Sequence, residues 1–279
     1  MTGLPMYQSL APEQFSLTDE EFALVGKLLH VRSGIILGDH KRELAARMIG
    51  LRVRKMGLSS ATEYLKRLQQ DPQSEEWDAF VNVFTINHTA FFRERHHFGI
   101  LADFIRTRSN PVHVWCCAAS TGEEAYTIAI TLLENTVAKE PKPWVWATDI
   151  DTQAIEKARK GIYTLERVQP VPEPLLKKYF YRGKGSKSGL VRVKPVLQEI
   201  VEFEPLNLVA PSWPSNQKFD AIFCRNTMIY FDKPTQTRIL ERFAPMLKPG
   251  GLLFAGHSEN FTYLTKAFRL RGQTVYALA

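Results

Sequence analysis

The sequence predicts an α/β fold: a mostly parallel sheet, preceded by an all-α segment and carrying a small antiparallel insertion. Three observations lead there. Up to about residue 90 the apolar residues recur at helical spacing and no strand candidate appears. From about residue 110 short apolar runs of strand length alternate with helical patterns, as βαβ units do. Between about 163 and 199 a Gly/Ser/Lys turn between short β-prone runs breaks that alternation. The expected division is a helical domain with its linker over 1–90 and an α/β domain over 91–279, with the insertion at about 163–199.

In the helical part, Thr18 and Asp19 offer N-caps to a run with Phe22, Val25, Leu28 and Leu29 on one face. A second helix is expected over about 40–56, with Leu44, Met48 and Leu51 as its apolar face and Arg47, Arg54 and Lys55 on another. Ser59 and Ser60 open a third helix carrying Tyr64, Leu65 and Leu68, which Asp71-Pro72 stops. Trp77, Phe80, Val81 and Phe84 mark a fourth.

In the α/β part, Val112–Ala118 is a strand, followed by a helix from Ala125 to about Val137, with Pro141 and Pro143 breaking the chain. Trp144–Thr148 is a second strand, with a helix to about Lys160. Further strands are expected at Ile200–Phe203, Phe219–Cys224 and Leu252–Ala255, the last two separated by a helix from about Lys233 to Leu247. The insertion's β-prone runs are Lys178–Tyr181 and Leu190–Val193, and Phe268–Ala279 has the texture of a hairpin.

Composition excludes several classes. At 44% hydrophobic and 23% charged, the 279 residues match an ordinary globular chain, not a disordered, collagen-like or coiled-coil one. No apolar run reaches the roughly 18 residues of a membrane span, so direct membrane insertion is not expected. The opening MTGLPMYQSLAPEQFSL lacks the charged and apolar regions of a signal peptide. The three cysteines lie in apolar runs and are expected to be reduced, packed thiols of a cytoplasmic protein. The net charge of +7 is concentrated. Residues 26–67 hold ten basic side chains against three acidic, and 163–200 hold eight against three. Two basic surfaces suggest two docking sites for something acidic.

Ligands of open parallel sheets bind at the carboxyl ends of the strands. The loop after the first strand, Ala119-Ser120-Thr121-Gly122-Glu123-Glu124, is a tight small-residue turn into a helix. It has neither the glycines of a dinucleotide fingerprint nor the lysine of a P-loop. Its two glutamates repel a pyrophosphate and suit a cation. Asp149 ends the second strand, where an acid grips ribose hydroxyls, while Asp151 reads as the N-cap of the next helix. A ribose without a diphosphate, beside acids that suit a cation, fits S-adenosylmethionine. Pro205-Leu206-Asn207-Leu208 after the third strand is placed to lie along the adenine. Arg225 to Phe231 after the fourth strand is placed at the cofactor's reacting end, and Asn226 to Tyr230 has only a weak likeness, without either proline, to the N-P-P-Y loop of amino-group methyltransferases. Asn87-His88-Thr89-Ala90-Phe91-Phe92-Arg93-Glu94 is a dense polar cluster at the joint of the two parts. No metal is expected: His96 and His97 are adjacent and point to different helix faces, and no H-E-x-x-H or Cys/His cluster exists. No G-x-S-x-G supports a serine hydrolase.

Six segments, NHTAFFRERHHF (87–98), WCCAASTGEEAYTIAI (115–130), ATDIDTQAIEKARKGIY (147–163), KYFYRGKGSKSGLVRV (178–193), FDAIFCRNTMIYFDKPTQ (219–236) and LKPGGLLFAGHSENF (247–261), together resemble the CheR family of chemotaxis receptor methyltransferases, in the family's order and over nearly all of the chain beyond about residue 15. Cys116-Cys117 departs from the small residues more usual there, at positions expected to face the sheet interior. The resemblance implies a Rossmann-like S-adenosylmethionine-dependent methyltransferase domain with a small inserted antiparallel β-subdomain, preceded by an all-α N-terminal domain. It implies methylation of glutamate side chains on membrane chemoreceptors, with S-adenosylhomocysteine as product. It places cofactor contacts at Asn87, Thr89, Arg93, Glu124, Asp149, Asn207, Leu208, Arg225 and Asn226. It also implies receptor contact by the basic second helix (Arg47, Arg54, Lys55) and, in some members, docking of a receptor's C-terminal tail peptide on the insertion, here around Arg182, Gly183 and Gly185. A cytoplasmic monomer recruited to membrane receptors is expected, with no nucleic acid partner.

The chemistry asks little of an acid or base. A glutamate carboxylate, with pKa near 4.3, is already ionised at neutral pH. Catalysis reduces to holding its oxygen in line with the methyl group in a water-poor cleft. Arg93 is the candidate to orient that carboxylate, and Tyr230 the candidate to bound the transfer channel. The alternatives are a basic methyltransferase acting on nucleic acid and a catalytically inactive methyltransferase-fold adaptor.

Overall fold

A computed structural model describes residues 15–136 and 142–279; the opening segment, the expected helix end at Val137 and the break at Pro141 lie outside the described residues. The chain divides into two compact units. One takes in the described residues up to Val31 together with Leu37–Phe84, and the other Arg32–Ile36 with Thr85–Ala279.

The first unit is helical. In α1 (Asp19–Ser33), Thr18 Oγ1 accepts from Glu21 N and Thr18 N donates back to the Glu21 carboxylate, a reciprocal cap. In α3 (Ala61–Gln70), Ser60 caps Glu63 N, and Glu63 accepts from Ser59 N and Oγ. These local pairs and the buried Tyr64, Leu65 and Leu68 were legible in the sequence, as were Trp77, Phe80 and Val81 of α4 (Glu76–Asn82). The apolar face expected of α2 (Arg42–Lys55) is corrected. Leu44 and Leu51 are exposed and Met48 half-buried, whereas Ala45, Ala46, Ile49 and Val53 face the core. The reason is close packing: Gly50 lies against the Phe15 ring, where an added Cβ would come within 2.8 Å, and alanines keep that face flat. Not every basic side chain counted in this region belongs to a surface. Arg52 is buried, its guanidinium forked onto both oxygens of Glu76 at 2.7 and 2.5 Å.

The second unit holds α5 (His96–Arg106) and a seven-stranded sheet in the order β6-β2-β1-β7-β8-β10-β9. Strands β1 (His113–Cys117), β2 (Trp144–Asp149), β6 (Val201–Pro205), β7 (Phe219–Cys224) and β8 (Leu247–Ala255) are parallel, and β9 (Phe268–Gly272) and β10 (Val275–Leu278) form the antiparallel hairpin at one edge. Strand side chains alternate between faces. Val114, Cys116, Ala147, Phe223 and Phe254 join one buried layer with α5 and α6 (Glu123–Asn135). Trp115, Cys117, Trp146, Ile222 and Leu253 join the other with α10 (Lys233–Phe243). All three cysteines are buried free thiols. Strand β8 begins earlier than expected and takes in the Lys-Pro-Gly-Gly stretch. Gly251 allows it, because a Cβ there would meet the Asp220 and Lys248 carbonyls at 3.0 and 2.9 Å.

After β2, helix α7 (Thr152–Lys160) leads into the insertion. There β3 (Ile162–Thr164), β5 (Leu190–Val193) and β4 (Phe180–Arg182) form a separate antiparallel sheet in the order β3-β5-β4. Helix α8 (Glu173–Tyr179) takes the start of the expected Lys178–Tyr181 strand, and α9 (Pro195–Gln198) returns the chain to β6.

Candidate active site

The five parallel strands end on one side of the sheet, and the loops there carry most of the expected site residues. After β1 the chain turns through Ala118, Ser120 and Gly122, all with positive φ, and enters α6. A side chain at Gly122 would meet Ala158 Cβ at 2.8 Å and Tyr163 Oη at 3.0 Å. The turn is fixed from the β2 end: Asp149 accepts Ser120 N on one oxygen (2.7 Å) and Asp151 N on the other (2.8 Å). Each oxygen keeps capacity for a further donor. Burial pushes the Asp149 carboxyl up to about 6, against those amide donors. Asp151 is the expected N-cap, bonded to Gln153 N and Ala154 N, and it also holds Thr85 and Asn87. Asn87 reaches on to Ser120 Oγ at 2.9 Å, so it links the polar cluster before the sheet to both loops. Thr89 is half-buried in the same segment.

Arg225, at the end of β7, is a buried hub. Its guanidinium meets Glu124 at 2.5 Å, Glu94 at 3.0 Å and the Arg93 carbonyl at 2.7 Å. Arg225 was expected as a cofactor contact; here its terminal nitrogens organise two glutamates and the Arg93 carbonyl. Burial raises the Glu124 carboxyl and Arg225 opposes it. For Glu94, burial also pushes up, but Arg225, His257 N and Asn226 outweigh it and hold the carboxyl low. Glu94 was not singled out as a site residue in the sequence, because its partners lie more than a hundred positions away. Arg93 is half-buried and donates to the His88 carbonyl at 2.9 Å.

After β6, Asn207 uses its side chain on the Arg32 carbonyl and on Val209 N, while Leu208 is buried in the second core layer. Ile36 N donates to the Tyr230 carbonyl at 3.0 Å, so the 32–36 segment is tied to both loops. Asn226 has φ +57 and donates to Glu94, and Tyr230 closes a 3-10 turn over Met228–Tyr230. Burial raises the Tyr230 phenol, the Arg93 guanidinium lowers it and Glu259 adds to the rise. Glu259, another residue not singled out, accepts four backbone N–H groups here.

Among the described residues, seven non-glycine positions have positive φ, and five of them, Phe92, Glu94, Ala118, Ser120 and Asn226, lie in these loops. Each costs about 1–2 kcal/mol, and such strain collects at functional sites.

The docking candidates are elsewhere. Arg47, Arg54 and Lys55 are exposed on α2. Arg182 ends the edge strand β4, Gly183 N closes the hairpin onto Leu190 O, and Gly185 has φ +57. One reading of the histidines is corrected. The His96 and His97 rings are 4.2 Å apart rather than splayed to different faces, and with Glu94 they bring ligating atoms within 4.8 Å of one another. His97 is buried, bonded to Gln273 O, and burial lowers its pKa to about 4. The Glu94 carboxylate is engaged by Arg225 at 3.0 Å.

At the strand ends Glu94 and Glu124 share the Arg225 guanidinium, while Asp149 is buried and held by backbone amides. Burial pushes Glu124, Asp149 and Glu259 upward, and a bound cation would relieve that. A sulfonium nucleoside fits this donor set.

Known proteins show which family the chain is similar to. A family model described as CheR methyltransferase, SAM binding domain, matches residues 87–277, and one described as CheR methyltransferase, all-alpha domain, matches residues 20–85. A chemotaxis protein methyltransferase of Klebsiella aerogenes is 52% identical over 95% of this chain and 92% of its own length. One from Escherichia coli is 52% identical over 96% of this chain and 93% of its own. Chemotaxis protein methyltransferase 2 of Pseudomonas aeruginosa is 47% identical over 96% of each.

Proposed function

Because the chain belongs to the CheR methyltransferase family, and so uses S-adenosylmethionine in chemotaxis, we propose that it methylates glutamate side-chain carboxylates of chemoreceptors, leaving methyl esters and S-adenosylhomocysteine. The observation that carries this reading is the excess of buried carboxylates at the strand ends, which suits a cationic cofactor and leaves Arg93 to meet an anionic substrate.

Asp149 takes the ribose hydroxyls on the lone pairs its amide donors leave open. Glu124, held by Arg225, faces the cofactor's positive end. Asn87 and Thr89 close the pocket from the segment before the sheet, and Asn207 and Leu208 border the adenine. When bound, the cofactor supplies an electrophilic methyl group, whose bonding pair stays with the sulfur as the carboxylate oxygen takes the carbon. Arg93 orients that carboxylate through its remaining N–H donors. Its grip positions the oxygen without needing to remove a proton, since the carboxylate is ionised already. Asn226 and Tyr230 bound the transfer channel. The two reacting charges cancel as the bond forms, so a water-poor site favours the step.

Receptor contact is assigned to the exposed face of α2 with Arg47, Arg54 and Lys55. A second contact is assigned to the edge of β4 near Arg182, Gly183 and Gly185, where an extended receptor tail can add a strand. Among the described residues no helix is long and apolar enough to cross a membrane, so these surfaces would bring the enzyme to its receptors.

The test is incubation with methyl-labelled S-adenosylmethionine and either receptor-bearing membranes or DNA and RNA. Base-labile label on the receptor supports the reading. Base-stable label, label on nucleic acid, or none would overturn it.

A further inference from the structure

The loop that bounds the proposed transfer channel does not hold itself in place. The backbone N–H groups of Asn226, Thr227 and Met228 converge on one point, and so does that of Gly256 from the end of β8. The Glu259 carboxylate occupies that point. Its Oε1 accepts from Thr227 N at 2.9 Å and Met228 N at 2.8 Å, and its Oε2 from Asn226 N at 2.8 Å and Gly256 N at 2.6 Å. Successive amides aimed inward make an anion-binding concavity, and here the anion is a side chain of the same chain.

The close fit is built in. A Cβ on Gly256 would stand 2.3 Å from Asn226 Nδ2 and 2.7 Å from Asn226 N, so only glycine lets the two strand-end loops meet. Asn226 sits in the left-handed region at φ +57. On its far side its amide donates to Glu94, so two carboxylates bracket it. Tyr230 hangs from the same segment, through Tyr230 N to Thr227 O at 3.1 Å.

A neutral side chain cannot replace this one. A carboxylate offers two acceptor oxygens and no donor, whereas a glutamine must turn an NH2 toward two of the four amides. Two of those amides then lose a charge-assisted partner. An unfilled amide cluster beside this site would also attract the wrong anion, since both the substrate side chain and the cofactor's amino-acid end carry carboxylates. Filling it from within leaves Arg93 as the group that receives the substrate.

We propose that Glu259 is a positioning residue for methyl transfer, its carboxylate filling the amide concavity at 226–228 and 256 and so placing Asn226 and Tyr230 at the reacting end of the site. This rests on the reading of that loop as the channel wall. Glu259→Gln should lower S-adenosylhomocysteine affinity by no more than about threefold by calorimetry, because, of the cofactor contacts that the resemblance implies, only Asn226 is displaced, while Asp149 and Glu124 are not touched. It should lower kcat on receptor-bearing membranes by roughly tenfold to a hundredfold, the size expected for losing hydrogen bonds to a charged group. Amide hydrogen exchange at 226–228, read without any receptor, should quicken by about tenfold or more. A kcat within twofold of wild type, affinity that falls in step with kcat, or unchanged exchange would overturn the proposal. If the glutamine variant binds no S-adenosylhomocysteine, Glu259→Asp decides, since it keeps both oxygens. Lowered kcat with kept affinity supports positioning, and unchanged kcat overturns it. If wild-type protein labels no receptor, the functional reading fails, while the exchange measurement still decides what holds the loop.

Discussion

Arg52 in the helical unit and Arg225 in the α/β unit are both buried against glutamate, and they are built to different ends. Arg52 faces one carboxylate, with both fork nitrogens on both oxygens of Glu76, and Tyr64 Oη adds a third bond at 2.7 Å. Charges balance, and the partners sit on or beside regular helices. Arg225 faces two carboxylates, Glu94 and Glu124, and Cys116 Sγ reaches Glu124 as well. One negative charge is left over, in loops with left-handed backbone. A closed pair fixes a fold. An over-subscribed arginine leaves room for a cation, and that difference separates a structural ion pair from one that serves a ligand site.

The comparison can be broken most directly at its centre. Arg225→Met strands two buried carboxylates and should cost about 3–5 kcal/mol of stability, and S-adenosylhomocysteine binding should be lost with it. Urea melts and calorimetry read both. Arg52→Met should cost stability of the same order, since Glu76 is stranded, yet leave the affinity of the remaining folded protein within about twofold, since neither Arg52 nor Glu76 is among the proposed cofactor contacts. Equal loss of binding in both variants would erase the distinction.

Asp149 sharpens it by titration. Its folded carboxyl stands at about 6, above the ordinary 3.8. A raised carboxyl favours the folded state while protonated, so its contribution is present below the unfolded value and is lost as pH rises through about 6. Ribose hydroxyls donating to the ionised form recover that loss. S-adenosylhomocysteine affinity should therefore rise from about pH 5 to 7 and then level off. Asp149→Asn should flatten the rise and weaken binding by roughly 1–3 kcal/mol. An unchanged pH profile in the variant would remove Asp149 from the ribose role.

The smallest effect is expected on the exposed face of α2. Arg47→Glu with Arg54→Glu should move stability by less than about 0.5 kcal/mol, as surface changes do, and leave cofactor affinity alone. The apparent KM for receptor should rise, and added salt should mimic this in wild type, since exposed charges are screened within about 8 Å. Wild-type rates at subsaturating receptor would make the stripe a solubilising face.

What could be read from the sequence followed the range of the interaction. Asp151 capping Gln153 and Ala154, Ser60 capping Glu63, and the Phe219–Cys224 strand all rest on neighbours. Glu94 and Glu259 did not stand out because Arg225 and the 226–228 amides reach them only through the sheet's strand order. The one available signal for Glu259 was an acid just past a strand end, after Gly256-His257-Ser258. On α2, the larger Leu44, Met48 and Leu51 outweighed the alanines that face the core, because hydropathy ranks size and tight packing prefers its absence. Exposed beside Arg47 and Arg54, those leucines give the stripe apolar as well as basic character.

The account's central claim is that Arg93 acts chiefly by positioning a carboxylate that needs no general base, in a pocket whose cofactor is held mainly by other groups. Parallel measurement of receptor kcat and S-adenosylhomocysteine affinity in Arg93→Ala tests it most directly. The account predicts a loss of about a hundredfold or more in kcat with affinity changed less than about fivefold, the pattern of an interaction made at transfer. Near-normal turnover, or affinity that collapses as far as kcat, would contradict it.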